Sequence, residues 1–596
     1  MTSKPSPTDS KWLRHLEMSE GRSGYQATIS YRYHEFTKHT LEGLYSSSHR
    51  LDWALQPDPF RHYEGSSCIA LPVESDLNHL GLFETINRMH LLNIRSEKRL
   101  SEGEKSVELK LSSLSSLLYF SMSISAWKQI KGTEQKWALR VNPSSGNLHP
   151  TETHILVGEV PGISSGAYHY YVKEHKLEKR SSGNTLESVW SKLERDEGAP
   201  PLMLALTSIF WREAWKYRDR AYRYCQLDLG HAAAAISLTA ANLGWRAEVI
   251  AEFSDQEVSS CLGLGIDRDE KPMLLIPIYP DLNNETEASL GIPFTPSPAK
   301  CAVYNSSSKT TPGIAGVPPA FTEQDSSKFA FTGHPNVLSS YELKYSSINS
   351  VYQAGCITQD EYRQRRSRNI EFKKPELHPG LETIELAGTS YKLKSDPSFH
   401  QTVRTRRSAV DMDGQARSSL ARLGRILIDS SRQKIPEQYY IHILIYVHRI
   451  DGLGTGVYYF DREELTLTLL HDGDVRTHAK FVSCLQDIAS DGIFAVSLLA
   501  DMQSAFEHFG ERAYRYVHQE AGFIGQLFYL SARALDIDAT GIGCFIDDEI
   551  NNALPRGMEV VYNFTFGKAV LDPRLTDLPA YDFADPAFAS GDEPVN

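Results

Sequence analysis

Three groups of residues in this chain could do chemistry together. Arg406, Arg407 and Ser408 stand side by side in Arg404-Thr-Arg-Arg-Ser408, and Lys568 and Arg574 add two cations near the C-terminus. Thr540-Gly-Ile-Gly-Cys544 places Gly541 and Gly543 where a backbone can come close to a ligand. Positioned cations and backbone N–H donors are what a phosphate carrying about two negative charges requires. Far upstream, Pro143-Ser-Ser-Gly-Asn147 is a polar turn. Pro143 fixes one φ and Gly146 permits an unusual one. Ser144, Ser145 and Asn147 set short hydrogen-bonding groups where the polar edge of a planar ligand could meet them. The third group is Lys216-Tyr217. A lysine of lowered pKa or a tyrosine could take a proton from a substrate; in the plainer reading Lys216 is an exposed helix cation and Tyr217 a packing aromatic.

These groups need elements to hold them. Leucines 111, 114, 117 and 118 give Val107–Lys128 a helical pattern running into the Pro143 turn. Apolar strands follow at 154–157, 166–171, 202–209 and 273–278, with a charged helix near 185–197. The Ala-rich stretch Gln226–Leu243 reads as a helix stopped by Gly244, and its small residues suit a tight helix–helix interface. His231 within it is expected to hydrogen-bond across that interface. Residues 1–20 read as a frayed polar start, 1–90 as an N-terminal extension, and 286–395 as a linker with a charged helical patch near 357–370. The last residues, 581–596, form an acidic tail.

The second half repeats the first. Arg220-Ala-Tyr-Arg-Tyr224 returns as Arg512-Ala-Tyr-Arg-Tyr516, and at the same offset of 292 Gly230 falls on Gly522, Phe253 on Phe545 and Asp255 on Asp547. Asp228 and Glu520 occupy equivalent positions, which suggests a shared structural role. Ordered matches of this kind indicate a duplicated and fused domain, hence an intramolecular pseudo-dimer that needs no second chain. The copies are unequal. Arg406–Ser408, the two turn glycines and the late cations belong to the second, where the first has Glu248-Val-Ile-Ala-Glu252 and Ile278-Tyr-Pro-Asp281. The Pro143 turn belongs to the first, where the second has Gln433–Tyr439. Each half has what the other lacks.

Bulk properties exclude some classes. At 596 residues the chain exceeds one compact core. A net charge of −13 with no basic stripe argues against nucleic acid as a partner. No apolar run is long enough for a bilayer, and the N-terminus has no apolar signal core, so the cytoplasm is the expected compartment. Seven cysteines without a Cys-x-x-Cys pair fit a reducing compartment and speak against zinc or a disulfide framework. His34 and His39, at i,i+5, do not share a helical face, so a structural role is expected and no metal site.

The residues quoted above resemble the FMN-dependent nitroreductase fold family. In that family two subunits build each flavin site, one giving an Arg-x-Ser start, a Gly-rich turn and C-terminal basic residues, the other a Pro-Ser-x-x-Asn loop. The resemblance covers about 90–285 and 395–580. It implies an α+β chain of two fused nitroreductase-like domains (91–285 and 396–580) with one complete FMN site. That site would draw on Arg406, Arg407, Ser408, Gly541, Gly543, Lys568 and Arg574 from the second repeat, and on Pro143, Ser144, Ser145 and Asn147 from the first. Val410 stands where the family often has a further basic residue. Tyr33-His-Glu-Phe-Thr-Lys-His39, Asn147-Leu-His-Pro150 and Lys216–Tyr224 are most similar to the SagB-type branch, which includes azoline dehydrogenases. There a Lys-Tyr pair serves proton transfer, which assigns that role to Lys216 and Tyr217, whereas the second repeat has His508-Phe509. The implied activity is hydride transfer between flavin N5 and a small or peptide-derived substrate. An NAD(P)H-dependent nitro or quinone reductase and a non-catalytic scaffold subunit are the alternatives.

Overall fold

The computed structural model describes the chain except residues 1–2, 7, 20, 47–50, 74–75, 95–105, 196–197, 265–269, 281–329, 366–374, 376, 378, 387–394, 432–439, 552–557 and 582–596. Most of the expected linker, Gln433–Tyr439 and nearly all of the acidic tail thus lie outside the described residues.

Two helices form the spine, Ala221–Leu243 and Ala513–Ala534. Every residue of the first is buried, because its small side chains let the second lie directly against it. The approach is closest at the paired glycines. A Cβ on Gly230 would sit 2.1 Å from the Gln519 carbonyl oxygen, and one on Gly522 2.0 Å from that of Leu227. The first helix ends on Gly244 at φ 80°, the left-handed stop anticipated from sequence.

Each helix packs beside a seven-stranded antiparallel sheet. The first sheet runs in space 246–247, 270–279, 202–209, 151–157, 166–171, 176–182, 68–70; the second runs 538–542, 558–567, 494–501, 441–447, 456–461, 466–472, 383–385. The order is the same in both, counted in sequence from the strand before each spine helix. A third, three-stranded sheet interlocks the halves, with Leu575–Leu578 from the end of the chain pairing to Ile124–Ile130, and that strand to Lys136–Arg140.

Reciprocal ion groups cross the spine. Arg220 and Arg223 of the first half hold Asp547 of the second, and Arg512 and Arg515 of the second hold Asp255 of the first. All six side chains are buried, so each carboxylate offsets the desolvation of two guanidiniums, and Asp547 is held down at about 2 by its arginine partners against the opposing effect of burial.

Three expectations need correction. The helix read over 107–128 covers only Leu111–Tyr119; Ile124-Ser-Ala-Trp-Lys-Gln-Ile130 is a strand, its pairing to 136–140 outweighing local leucine periodicity. The N-terminus is not frayed: Ser3–Pro5 pairs with Glu342–Lys344, and the helix Asp9–Met18 buries Trp12. The supposed linker is folded where it is described, with Ser346–Ala354 a helix that packs Ile348, Val351 and Tyr352 against the spine region and Gln359–Arg365 a second one that buries Tyr362 against Leu193.

Candidate active site

The Pro143 turn lies between the strands Lys136–Arg140 and Thr151–Val157. Gly146, Asn147 and His149 all have positive φ, 59°, 59° and 53°, a conformation held by a dense set of hydrogen bonds. The Ser145 amide and hydroxyl both donate to Asp228 Oδ1 (3.1 and 3.0 Å). The Ser144 hydroxyl accepts from the His149 amide at 2.8 Å, and Asn147 Nδ2 donates to the Ala138 carbonyl at 2.9 Å. Asp228 is one of the two residues singled out by the repeat. Its counterpart Glu520 accepts from the Tyr440 amide at 2.7 Å, immediately before the strand Ile441–Val447, so both acids pin the chain entering an equivalent strand.

Lys216 and Tyr217 end the helix Phe210–Tyr217 and point at this turn. A Cβ on Gly146 would meet Tyr217 Oη at 2.6 Å and Lys216 Nζ at 3.0 Å, so only glycine leaves room for both. Lys216 Nζ lies over the Tyr217 ring, 5.1 Å from its centroid. Burial pushes the Tyr217 phenol well above its ordinary pKa, which keeps its proton in place.

Beneath them sit two acids that sequence reasoning missed as chemistry. Glu213, one turn before Lys216, is buried, and neither carboxyl oxygen has a partner in hydrogen-bonding geometry. Burial first, then Asp228, raise its pKa well above the carboxylate range. Burial raises Asp228 to about 7 against the relief it receives from Ser144 and Ser145. The turn therefore rests on a proton-retaining pair beside a lysine and a phenol. Because the folded chain binds the Asp228 proton more tightly than the unfolded one, its stability contribution is full below pH 3.8 and is lost as pH rises through about 7. Asp228→Asn should accordingly gain on wild type between pH 5 and pH 8, by about 2–3 kcal/mol at most. Urea-unfolding midpoints at the two pH values check this, and a difference that stays flat would reject it.

The second-repeat residues converge from the other side. Arg406 is buried and donates to the Arg140 and Val141 carbonyls at 3.0 and 3.2 Å, the backbone that leads into Pro143. Its Nη1 faces Ser408 Oγ at 3.5 Å. Ser408 Oγ and the Gly541 amide meet at the same atom, Tyr529 Oη (2.9 and 2.8 Å), so this tyrosine of the second spine helix draws the Arg-x-Ser segment to the glycine turn. Among the described residues no carboxylate pairs with Arg406, and burial lowers it to about 10. The two clusters join through Tyr224, whose ring lies 4.5 Å from that of Tyr217 and whose hydroxyl donates to the Gly543 carbonyl at 2.9 Å.

The glycines of this turn are occupied differently from the expectation. A Cβ on Gly541 would strike Tyr562 Oη at 2.1 Å, and one on Gly543 the Tyr224 ring at 2.4 Å. The close approach is to tyrosines. Three expected cations do not join the cluster. Arg407 turns to Asp577 at 2.9 Å, Arg574 is exposed and held at both ends by Asp572, and Lys568 is exposed. His231 bonds Gln526 and Tyr562 across the spine, at 3.2 and 3.1 Å, and burial holds it down at about 3, which makes it a neutral interface residue.

The cysteine reading fails at one place. Cys484 and Cys544 are disulfide-linked, and His39 lies against both. Sixty residues separate the two cysteines in sequence, so no short-spacing motif could reveal the pair. His34 is buried beside Tyr514 and Glu559, 3.4 Å from each, a structural position.

Residues 134–278 match the Nitroreductase family. The chain is 27% identical over 150 residues to the candidate nitroreductase MJ1384 of Methanocaldococcus jannaschii, covering 25% of this chain and 73% of that one. It is 38% identical over 109 residues to the trifolitoxin-processing protein TfxB of Rhizobium leguminosarum bv. trifolii, covering 17% of this chain and 29% of TfxB, so it spans under a third of that relative. In structure it resembles a candidate nitroreductase from Anabaena variabilis, with a TM-score of 0.66 and 23% identity, over 91% of this chain and all of the other. No helix among the described residues is long and apolar enough to cross a membrane. The matched segment contains the Pro143 turn, Lys216, Tyr217 and Asp228, so this part of the chain carries a nitroreductase-family domain.

Proposed function

We propose that the chain is an FMN-dependent, SagB-type oxidoreductase acting on a small or peptide-derived substrate in the cytoplasm. One observation carries the cofactor. Arg406 is a cation only 4% exposed with no carboxylate partner among the described residues, and a buried charge of that kind calls for an anionic ligand. Its neighbours fit a flavin phosphate: Ser408 gives a hydroxyl, and the Gly541–Gly543 turn lies one tyrosine away. Ser144 and the backbone of the Pro143 turn would face the polar edge of the ring. When bound, FMN supplies a two-electron acceptor at N5. The chain's own work is to orient the substrate and move the proton that accompanies the hydride. Tyr217, kept protonated by burial, and Lys216 stand nearest, with Glu213 and Asp228 as buried acids behind them.

In this reading the chain is two fused nitroreductase-like domains forming an intramolecular pseudo-dimer. The reciprocal arginine–aspartate groups and the paired spine glycines support it, as does a site whose parts come from both halves. The similarity to TfxB, by name a trifolitoxin-processing protein, supports a processing role of the same kind.

The test is to release and count flavin, then to titrate FMN into apo-protein. Close to one FMN per chain is expected. Arg406→Ala should weaken binding by about tenfold or more, roughly 1.4 kcal/mol. An unchanged affinity in the variant would remove Arg406 from the site, and a chain that takes up no FMN would overturn the reading.

A further inference from the structure

Away from the candidate site's hydrogen-bond network, three segments distant in sequence bring soft ligands to one point. His39 comes from the N-terminal extension, Cys484 from the connection between the helices Arg476–Val482 and Asp487–Asp491, and Cys544 from the end of the glycine turn. The ligand atoms of all three lie within 4.8 Å of one another. We propose that the reduced Cys484–Cys544 pair and His39 form a Cys₂His site for a soft divalent cation, zinc by preference.

The imidazole is placed for this. Its Nδ1 faces Cys544 Sγ at 3.6 Å and Cys484 Sγ at 4.0 Å. In a tetrahedral zinc centre, with Zn–S about 2.3 Å and Zn–N about 2.0 Å, nitrogen and sulfur ligands sit roughly 3.5 Å apart. The His39 amide donates to Asp547 Oδ2 at 2.9 Å, which fixes the backbone that carries the ring. A disulfide alone has no use for a nitrogen aimed at both its sulfurs.

Charge favours the same assignment. Two thiolates and one neutral imidazole around Zn²⁺ give no net charge, which suits a half-buried position beside the Arg220–Asp547–Arg223 group. Zinc also prefers sulfur and nitrogen ligands over the oxygen set that calcium and magnesium need. Three protein ligands leave the fourth position open to solvent. The first half has Glu252 where the second has Cys544, so the site belongs to one half only.

Loading balances simply. An added phosphine opens the disulfide and gives two electrons; water supplies the oxygen of the resulting phosphine oxide and the two protons that complete the two thiols. Zinc then displaces the two thiol protons. The centre would tie the N-terminal extension to the Gly541–Gly543 turn.

The experiment uses the full-length chain, with or without flavin, reduced by a phosphine, incubated with zinc and desalted. About one zinc per chain is expected, with two thiols protected from alkylation until a chelator removes the metal. Cobalt in place of zinc should show thiolate charge transfer and tetrahedral bands in the red, beyond flavin absorption. Cys484→Ser and His39→Ala should each cut retained zinc severalfold or more. A reduced wild-type chain that keeps no zinc, or keeps it with both thiols still reactive, would overturn the site. So would a Cys484→Ser chain that retains as much zinc as wild type. The protection and cobalt readings need no variant, so they decide the matter even where a substitution impairs folding. None of these outcomes depends on the flavin reading.

Discussion

Lys216→Ala combined with Tyr217→Phe should leave flavin bound and slow turnover by about 10²–10⁴-fold, the range of general acid–base catalysis. The two side chains converge on Gly146, in the turn proposed to face the flavin edge, with the Tyr217 ring braced against that of Tyr224. Tyr217 holds its proton because burial disfavours the phenolate, so removing the hydroxyl removes a donor and acceptor at the reacting edge. The loss should fall on kcat, with little change in FMN affinity, since neither residue touches Arg406 or Ser408. A double variant with wild-type kcat would return the pair to packing.

Asp255→Ala should cost about 3–5 kcal/mol of unfolding free energy, the cost of breaking a buried ion group at one partner. The substitution leaves Arg512 and Arg515, 0% and 1% exposed, without their shared carboxylate. Their remaining hydrogen-bond partners are the carbonyls of Ala251, Gly355 and Tyr352, the Tyr516 hydroxyl and the Cys356 sulfur, dipoles that cannot neutralise two buried charges. Glu257→Ala removes an exposed pair with Lys192 and should change stability by under about 1 kcal/mol. Replacing both arginines by Met and Leu in the Asp255→Ala chain should recover much of the loss, because the cost lies in stranded charge. Denaturant midpoints decide this, and an Asp255→Ala chain within about 1 kcal/mol of wild type would reject it.

Much of the fold was legible. The returning Arg-Ala-Tyr-Arg-Tyr segment marks the start of each spine helix, and strands such as Gly166–Tyr171 and Leu202–Ile209 lie where apolar patterning puts them. The misreadings share a cause. Ile124–Ile130 is a strand because a partner 136–140 awaits it, and residues 330–365 fold because the spine region offers them a surface; local propensity contains neither fact.

Residue types and spacing by themselves determined the family resemblance, the two-copy pattern, and the grouping of Arg406 and Ser408 with a distant Pro143 turn, since chemistry and periodicity are written in the chain. Tertiary structure alone decided which cations stay with the site, because Arg407 and Arg574 find aspartates nearby while Arg406 finds none among the described residues. It alone raised Glu213 and Asp228 into acids that hold their protons, since a carboxyl's pKa is set by its burial and its neighbours. It alone brought His39, Cys484 and Cys544 together, because ligand geometry depends on distances in space that a sequence separation of hundreds of residues does not encode.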